Sequence, residues 1–109
     1  MARLKTEIWV AAYLARLSQA GIFSHVAHKG NAEAGAVAVK LATMDGKASL
    51  FLRRYDEDFE LRWQCEREAE PEREIDEHLA KQRSFDRDLW VIEVEDPKGR
   101  HLLDEDGLS

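Results

Sequence analysis

Apolar residues recur at helical spacing near the beginning of the chain, between Thr6 and Gly21. Thr6 is a suitable N-cap, Glu7 suits the positive end of a helix, and Gly21 is typical of the position just beyond a helix end. A strand over 7–10 is the alternative, but the alanines in the segment favour a helix. The main apolar stripe of this predicted helix consists of Trp9, Val10, Tyr13, Leu14, Leu17 and Ala20.

After Gly21 the spacing of apolar residues changes from helical to alternating. The segments predicted as strands are 22–28, 36–42, 48–55 and 59–65. Asp45-Gly46, between the second and the third segment, is a strong hairpin signal. The second and fourth segments alternate most clearly, which is typical of strands with one face toward a core. Their predicted inward residues are Val37, Val39, Leu41, Phe59, Leu61, Trp63 and Cys65.

A second helix is predicted to begin near Pro71, which suits a first helical turn and is followed by acidic residues. Its apolar face is thin, because it offers only Ile75 and Leu79, with Phe85 as a closing residue. Residues 89–95 alternate again and predict a last strand. The inward positions of that strand are Trp90, Ile92 and Val94.

This order of elements, α-β-β-β-β-α-β, indicates an α+β fold: a mostly antiparallel sheet of four to five strands with two helices. The 109 residues are the usual size of one domain, and no linker or repeat divides them. We therefore expect a single domain over 1–109. The pattern is compatible with helices on one face of the sheet or on both. The tail over 100–109 is predicted to be extended and mobile at its tip.

Charge is distributed unevenly along the chain. Hydrophobic residues make up 44% and charged residues 35%, which is a globular rather than a disordered composition. The net charge is -6, but residues 1–55 carry 8 basic and 3 acidic residues, whereas 56–109 carry 8 basic and 19 acidic ones. A strongly negative region would repel DNA and RNA, so we expect no nucleic-acid partner. A solvated acidic surface that keeps the protein soluble accounts for the same residues.

Two features bear on the cellular compartment. Cys65 is the only cysteine, so no disulfide can form within the chain. The apolar run from Ile8 to Ala15 is too short to span a membrane, and Arg16 interrupts it. We therefore expect a cytoplasmic protein with no membrane partner.

Four segments of the chain are familiar in combination: KTEIWV at 5–10, EAGAV at 33–37, DLWVIE at 88–93 and GRHLLDE at 99–105. With these segments the chain resembles, over nearly its whole length, a family of small alphaproteobacterial proteins known only as a domain of unknown function. The resemblance implies a bacterial protein of one domain. It implies no activity, cofactor or catalytic residue.

The loop over 29–35 is a first candidate site. Lys29, Gly30, Asn31 and Gly35 could bind a small anion through backbone amides, as glycine-rich turns do. The spacing of the glycines matches no nucleotide-binding motif. A tight connection that needs a positive φ at both glycines is the alternative interpretation.

The acidic C-terminal region is a second candidate site. Glu93, Asp96 and His101 supply two carboxylates and an imidazole, and carboxylates in different environments can act as acid and base. Further carboxylates nearby are Glu95, Asp104 and Glu105. Alternatively, Glu93 and Glu95 share the outward side of one strand and only solvate it.

The positions of the histidines and of the cysteine argue against metal binding and against cysteine catalysis. His25 and His28 lie three apart, which would place them on one face of a helix but on opposite faces of the strand predicted here. Cys65 lies at an inward strand position, where a free cysteine behaves as a small hydrophobe. We therefore predict no metal, no cofactor and no catalytic cysteine.

The function that this sequence favours is a non-enzymatic protein-interaction or regulatory module of the bacterial cytoplasm. The alternatives are a small enzyme using the C-terminal cluster, and anion binding at the 29–35 loop. Self-association is expected because a second apolar set, Ile8, Ala11, Ala12 and Ala15, lies on flanks of the first helix that a lone surface helix gives to charged residues. A two-fold dimer would bury this alanine flank against its own copy, and cover by the C-terminal tail is the alternative.

Overall fold

A computed structural model describes residues 4–108; the first three residues of the predicted domain, and the last one, lie outside the described residues. The elements are α1 (Thr6–Gln19), β1 (Phe23–His28), β2 (Val37–Ala42), β3 (Lys47–Tyr55), β4 (Leu61–Pro71), α2 (Glu72–Phe85) and β5 (Trp90–Glu95). This order confirms the predicted α+β class. Neither helix is long and apolar enough to cross a membrane.

The five strands form one sheet in the order β1-β5-β2-β3-β4. Three of the four pairings are antiparallel, and only β2 and β5 run parallel. The predicted hairpin between β2 and β3 is confirmed: the Asp45 carboxylate accepts a hydrogen bond from the Lys47 amide, and Gly46 has a φ of +86°. β5 returns after α2 and inserts between β1 and β2. The sheet is therefore mostly antiparallel, as predicted, with one parallel pair at its centre.

The two helices cover opposite faces of the sheet. On the α1 face, alternate residues of β2 and β5 pack against the helix; this core contains Trp9, Val10, Tyr13, Leu17, Val37, Val39, Leu41, Trp90, Ile92 and Val94. On the α2 face the intervening residues pack against Ile75 and Leu79; that core contains Ala38, Ala48, Leu50, Leu52, Leu89 and Val91. Every residue of β2 is consequently buried.

α1 is fixed at both ends by hydrogen bonds. Its N-cap is Lys5, one residue before Thr6, which was the predicted N-cap. The Thr6 hydroxyl instead donates a hydrogen bond to the Gly35 carbonyl at 2.8 Å. At the other end Gly21 has a φ of +75°, and the Ile22 amide donates back to the Leu17 carbonyl at 2.9 Å. This is the left-handed glycine termination that the sequence predicts.

The C-terminal tail packs against the α1 face instead of extending from the domain. Leu103 and Leu108 are buried in the α1-face core. Three side chains donate hydrogen bonds to tail carbonyls: Tyr13 to His101 at 2.8 Å, Arg16 to Asp106 at 2.7 Å and Trp63 to Leu108 at 3.0 Å. The expectation of an extended tail is thus wrong over 101–108, because Leu103 and Leu108 complete the core.

Three residues predicted to be inward or to close a helix are exposed: Phe59, Cys65 and Phe85. Phe59 lies in the turn before β4, with a φ of +60°. Cys65 belongs to β4, an edge strand, and lies two residues beyond Trp63, the β4 residue that packs against the α1-face core. Phe85 comes ten residues after Ile75 and six residues after Leu79. Neither spacing returns to the same side of a helix, so Phe85 lies on another side of α2.

β4 is also longer than predicted, because the acidic stretch over 66–70 continues the strand. It pairs with the beginning of β3, where Arg67 lies opposite Leu50 and Glu70 opposite Ala48. The register shifts twice here, and Ala69 has a φ of +50°. Alternation of apolar residues could not reveal this part of the strand, since bulges interrupt the period of two.

Leu103→Ala should destabilise the fold by about 2–5 kcal/mol, because it leaves a cavity under the tail. Leu103 is 2% exposed, whereas Leu4 is 62% exposed. Urea unfolding of Leu103→Ala and of the control Leu4→Ala measures the difference. Equal midpoints for the two variants would mean that the tail does not contribute to the core.

Candidate functional site

The loop over 29–35 is held by its own backbone amides. The Asn31 amide donates to the Asp88 carbonyl at 3.0 Å, and the Asn31 side-chain oxygen accepts from the amides of Glu33 and Ala34, each at 3.0 Å. The Gly35 amide donates to the Asn31 carbonyl at 3.2 Å, while Lys29 is exposed. The amides at 31, 33, 34 and 35 are therefore engaged and do not form an open cradle for an anion.

Gly30 and Gly35 are needed for close packing and not for a positive φ. A Cβ atom at Gly30 would lie 2.1 Å from the Asp88 carbonyl oxygen, and one at Gly35 would lie 2.3 Å from the same atom. Neither glycine has a positive φ, so the interpretation based on positive φ is wrong for this loop. The loop also holds Trp90, whose indole N–H donates to the Asn31 carbonyl at 2.7 Å.

Glu93 contacts a buried lysine that the sequence reasoning overlooked. Lys40, in the central strand β2, is 3% exposed, and its Nζ lies 3.0 Å from Glu93, 2.8 Å from Glu72 and 2.7 Å from Asp76. Glu72 and Asp76 belong to the first turns of α2, so this lysine connects the helix to the middle of the sheet. Glu93 is thus oriented toward an ion pair and does not merely solvate β5.

The electrostatics keep Lys40 protonated. Burial alone would lower the pKa of Lys40, but the hydrogen bonds that its ammonium donates to Asp76, Glu72 and Glu93 outweigh it and raise the pKa above its usual value. One ammonium group faces three carboxylates, so the cluster stays negative overall. A signal was present in the sequence: Lys40 is the only charged residue in an otherwise apolar central strand.

Asp96 stabilises the turn that follows β5. Its carboxylate accepts hydrogen bonds from the backbone amide and from Nε of Arg100, both at 2.8 Å. These bonds lower the pKa of Asp96 to about 2, which keeps it ionised and paired at neutral pH. A carboxylate held in this way is a poor acid or base.

His101 belongs to the tail and packs on the α1 face of the sheet. Its ring is 4.6 Å from that of Phe51, and its Nδ1 accepts a hydrogen bond from the Leu103 amide at 3.0 Å. Burial lowers the pKa of His101, although Asp104 opposes this effect. Glu93, Asp96 and His101 therefore have separate partners, and the fold does not bring them together as an acid–base set.

The remaining candidates are also dispersed. His25 lies in β1, as predicted, opposite Glu93 on β5, and no three His, Cys, Asp or Glu side chains within 4–108 are arranged to hold a metal. Cys65 is exposed, and its thiol donates to the Arg67 carbonyl at 3.3 Å. Burial of the sulfur, Glu68 and Glu66 raise the pKa of Cys65, which makes the reactive thiolate scarcer.

The two edges of the sheet differ in chemistry. β4, at one edge, has two register shifts, ends in Pro71 and carries five charged residues: Arg62, Glu66, Arg67, Glu68 and Glu70. β1, at the other edge, reads FSHVAH, with no Lys, Arg, Asp, Glu or Pro. Phe23 is 63% exposed, and Val26 is also exposed. Charges, prolines and bulges are the features that prevent edge strands from pairing, and β1 has only a bulge near its end.

A cavity of about 730 Å³ opens on the α1 face between the beginning of α1, the residues before β2 and the adjoining ends of β3 and β4. Its aromatic walls are Trp9, Trp63 and Tyr55. Its charged lining residues are Lys5, Arg53 and Glu33. Sequence reasoning placed the tryptophans in the core and did not foresee this opening, which depends on how β4 and α1 approach each other.

The described residues form a small α+β domain whose mixed five-stranded sheet carries one helix on each face. The model of a family described as "Protein of unknown function (DUF1491)" matches residues 4–104, and the chain belongs to this family. The predicted resemblance to a family of unknown function is thereby confirmed. No curated protein matches the chain.

Solved structures from alphaproteobacteria share the fold. A crystal structure of a DUF1491 family protein from Caulobacter crescentus is 40% identical, with a TM-score of 0.82 over 94% of each chain. An NMR structure of a DUF1491 family protein from the same organism gives the same identity and TM-score over 96% of each chain. A solution structure of a protein from A. tumefaciens is 33% identical, with a TM-score of 0.74 over 86% of each chain.

Lys40→Met should destabilise the fold by about 3 kcal/mol. This is the lower end of the usual cost of breaking a buried ion pair, because the carboxylates left without a partner are partly exposed. Arg73→Met is the matched control, since its pair with Glu77 lies on the surface and is worth under about 1 kcal/mol. Urea unfolding at neutral pH measures both. A Lys40→Met variant as stable as the parent would show that apolar packing can replace the cluster.

Acidification should loosen the tail through His101. The folded state lowers the pKa of His101, so this contribution to stability is complete above the unfolded value of about 6.5 and is lost as the pH falls below it. We expect a lower urea midpoint at pH 5 than at pH 7.5, and a smaller difference in His101→Gln. An unchanged difference in that variant would assign the pH dependence to other groups, such as His78, whose pKa is also lowered.

Proposed function

We propose that this protein is a non-enzymatic interaction module of the bacterial cytoplasm that self-associates through the outer edge of β1. The observation that carries the proposal is the unprotected edge strand FSHVAH, with Phe23 exposed. The backbone amides and carbonyls on the outer side of an edge strand can form hydrogen bonds with another strand. The separation of Glu93, Asp96 and His101 favours binding over catalysis.

A second copy of the chain is the partner that the charges favour. The chain carries a net charge of -6, so two copies repel each other over most of their surfaces. β1 carries no Lys, Arg, Asp or Glu, which makes its edge a place where two copies can approach with little repulsion. Phe23 lies opposite Glu95 and Val26 opposite Ile92, so their side chains lie on opposite faces of the sheet. Pairing of two β1 strands would therefore cover apolar surface on both faces.

Pairing at this edge would also bring the two α1 helices together. The two-fold axis of an antiparallel strand pair is perpendicular to the sheet, so both helices lie on the same side of the joined sheet. α1 packs close to β1, while Trp9, Tyr13 and Arg16 contact β4 or the tail. Ala12 lies beside Trp9 and Arg16 on the helical wheel, on the flank toward the tail. Ala11 lies on the opposite flank, toward the β1 edge.

Phe23→Lys should weaken the dimer at least about tenfold, because it places like charges across the two-fold axis at an edge where lysine blocks pairing. Gln64→Lys, on the β4 edge, should leave the dimer intact. Light scattering over a range of concentrations measures the mass, with twice the 12.5 kDa chain expected for the parent. A parent mass of one chain at all concentrations up to about 1 mM, where millimolar dissociation constants become visible, would contradict the proposal.

Ala12→Glu distinguishes the β1 edge from the alanine flank predicted from the sequence. The β1 edge predicts that the variant remains a dimer, since Ala12 lies on the other side of α1. The alanine flank predicts dissociation without loss of helical circular dichroism. Dissociation of Ala12→Glu together with an intact Phe23→Lys dimer would move the interface to the alanine flank.

A further inference from the structure

We propose that the cavity between α1 and the ends of β3 and β4 binds a small organic carboxylate with a flat aromatic or unsaturated body. The volume of about 730 Å³ is within the range of small-molecule sites. The cavity adjoins the β4 side of the domain and the β1 edge is at the other side, so this proposal is independent of self-association.

The walls favour a flat apolar body. The rings of Trp9 and Trp63 have centroids 5.4 Å apart and are inclined by 31°, and both line the cavity. Tyr55 adds a third aromatic ring and is largely exposed. Trp9 is stacked on Tyr13 and buried, so the accessible ring surface on which a planar ligand can stack belongs to the half-buried Trp63 and to Tyr55.

One tryptophan lacks a hydrogen-bond acceptor. The indole N–H of Trp63 donates to Leu108 and that of Trp90 donates to Asn31. The indole Nε1 of Trp9, a residue 93% buried, has no acceptor and no solvent contact in the described chain. A buried donor left unsatisfied is costly, and such groups in native proteins require an explanation. A ligand oxygen that enters beside the Trp9 ring would supply the acceptor, after a small movement of the wall that now seals Nε1.

The charges around the cavity favour an anionic ligand over a neutral one. Two cationic side chains, Lys5 and Arg53, and one carboxylate, Glu33, line the opening, although the whole chain is acidic. The Arg53 guanidinium lies 6.0 Å from the centroid of the Trp63 ring, so a positive charge lies next to an aromatic wall. The cationic side chains would attract the carboxylate of an aromatic acid, and the aromatic walls would pack against its flat body. The Trp9 N–H would gain an acceptor from one of its oxygens.

The probe is 2-naphthoate, with the uncharged 2-naphthylmethanol as its matched control. Titration into the ¹⁵N-labelled protein is followed through the three tryptophan indole resonances. We expect the Trp9 indole N–H to move downfield as it gains an acceptor. The Trp90 resonance should move less than that of Trp9, because the Trp90 indole N–H already donates to the Asn31 carbonyl. The alcohol should bind at least about tenfold more weakly than the acid, a difference that corresponds to one charge-assisted hydrogen bond.

Two variants test the assignment. Trp9→Phe removes the donor and should lower the affinity for 2-naphthoate about tenfold, provided that its spectrum remains folded. Lys5→Gln leaves the core untouched and should lower it several-fold, whereas Lys47→Gln at the far end of β3 should not. Equal affinities for the acid and the alcohol, an unmoved Trp9 resonance, or binding that is insensitive to Lys5→Gln would each overturn the proposal. Absence of any binding would overturn it as well and would leave self-association through β1 unaffected.

Discussion

Burial of β2 on both faces is the constraint on which the rest of the structure depends. Each face of this strand needs its own cover, and the sheet receives α1 on one side and α2 on the other. Lys40 makes the α2 side specific, because a buried ammonium must be surrounded by carboxylates. α2 buries only two large apolar side chains, Ile75 and Leu79. Its position is therefore determined by ion pairs at its N-terminal end as well as by packing.

The α1 face of the sheet is covered by two parts of the chain: the helix α1 and the C-terminal tail, which has no regular secondary structure. α1 covers the part of the sheet near β1, and the tail covers the part toward β4. Trp63 takes part in both the cover and the cavity: its ring lines the opening and its indole N–H holds Leu108. A ligand that stacks on this ring would consequently contact the tail's anchor, so occupancy of the cavity and docking of the tail are linked through one side chain.

Elements and fold class could be predicted from the sequence, because periodicity reports directly which side of a segment is buried. The helices, the hairpin at Asp45-Gly46 and the inward residues of β2 and β5 follow from that signal alone. What the sequence could not show depends on contacts between distant segments. The partners of Lys40 come from two distant elements, α2 and β5, and the two glycines of the 29–35 loop are explained only by the nearby Asp88 carbonyl. The candidate residues near the C-terminus were close in sequence but face different neighbours, since Glu93 lies in β5, Asp96 in the turn after it and His101 in the tail.

The position of β5 in the sheet has a consequence for how the chain reaches its native state. β5 pairs with both β1 and β2, yet it is made after every other strand and after α2. While the chain is being synthesised, β2, β3 and β4 can form a meander, but β1 has no strand beside it until β5 emerges. Such long-range pairing slows folding, and an apolar segment without its partner is open to association with other nascent chains. The same segment that we propose as the assembly edge of the finished protein is thus, during translation, the strand that waits longest for its partner.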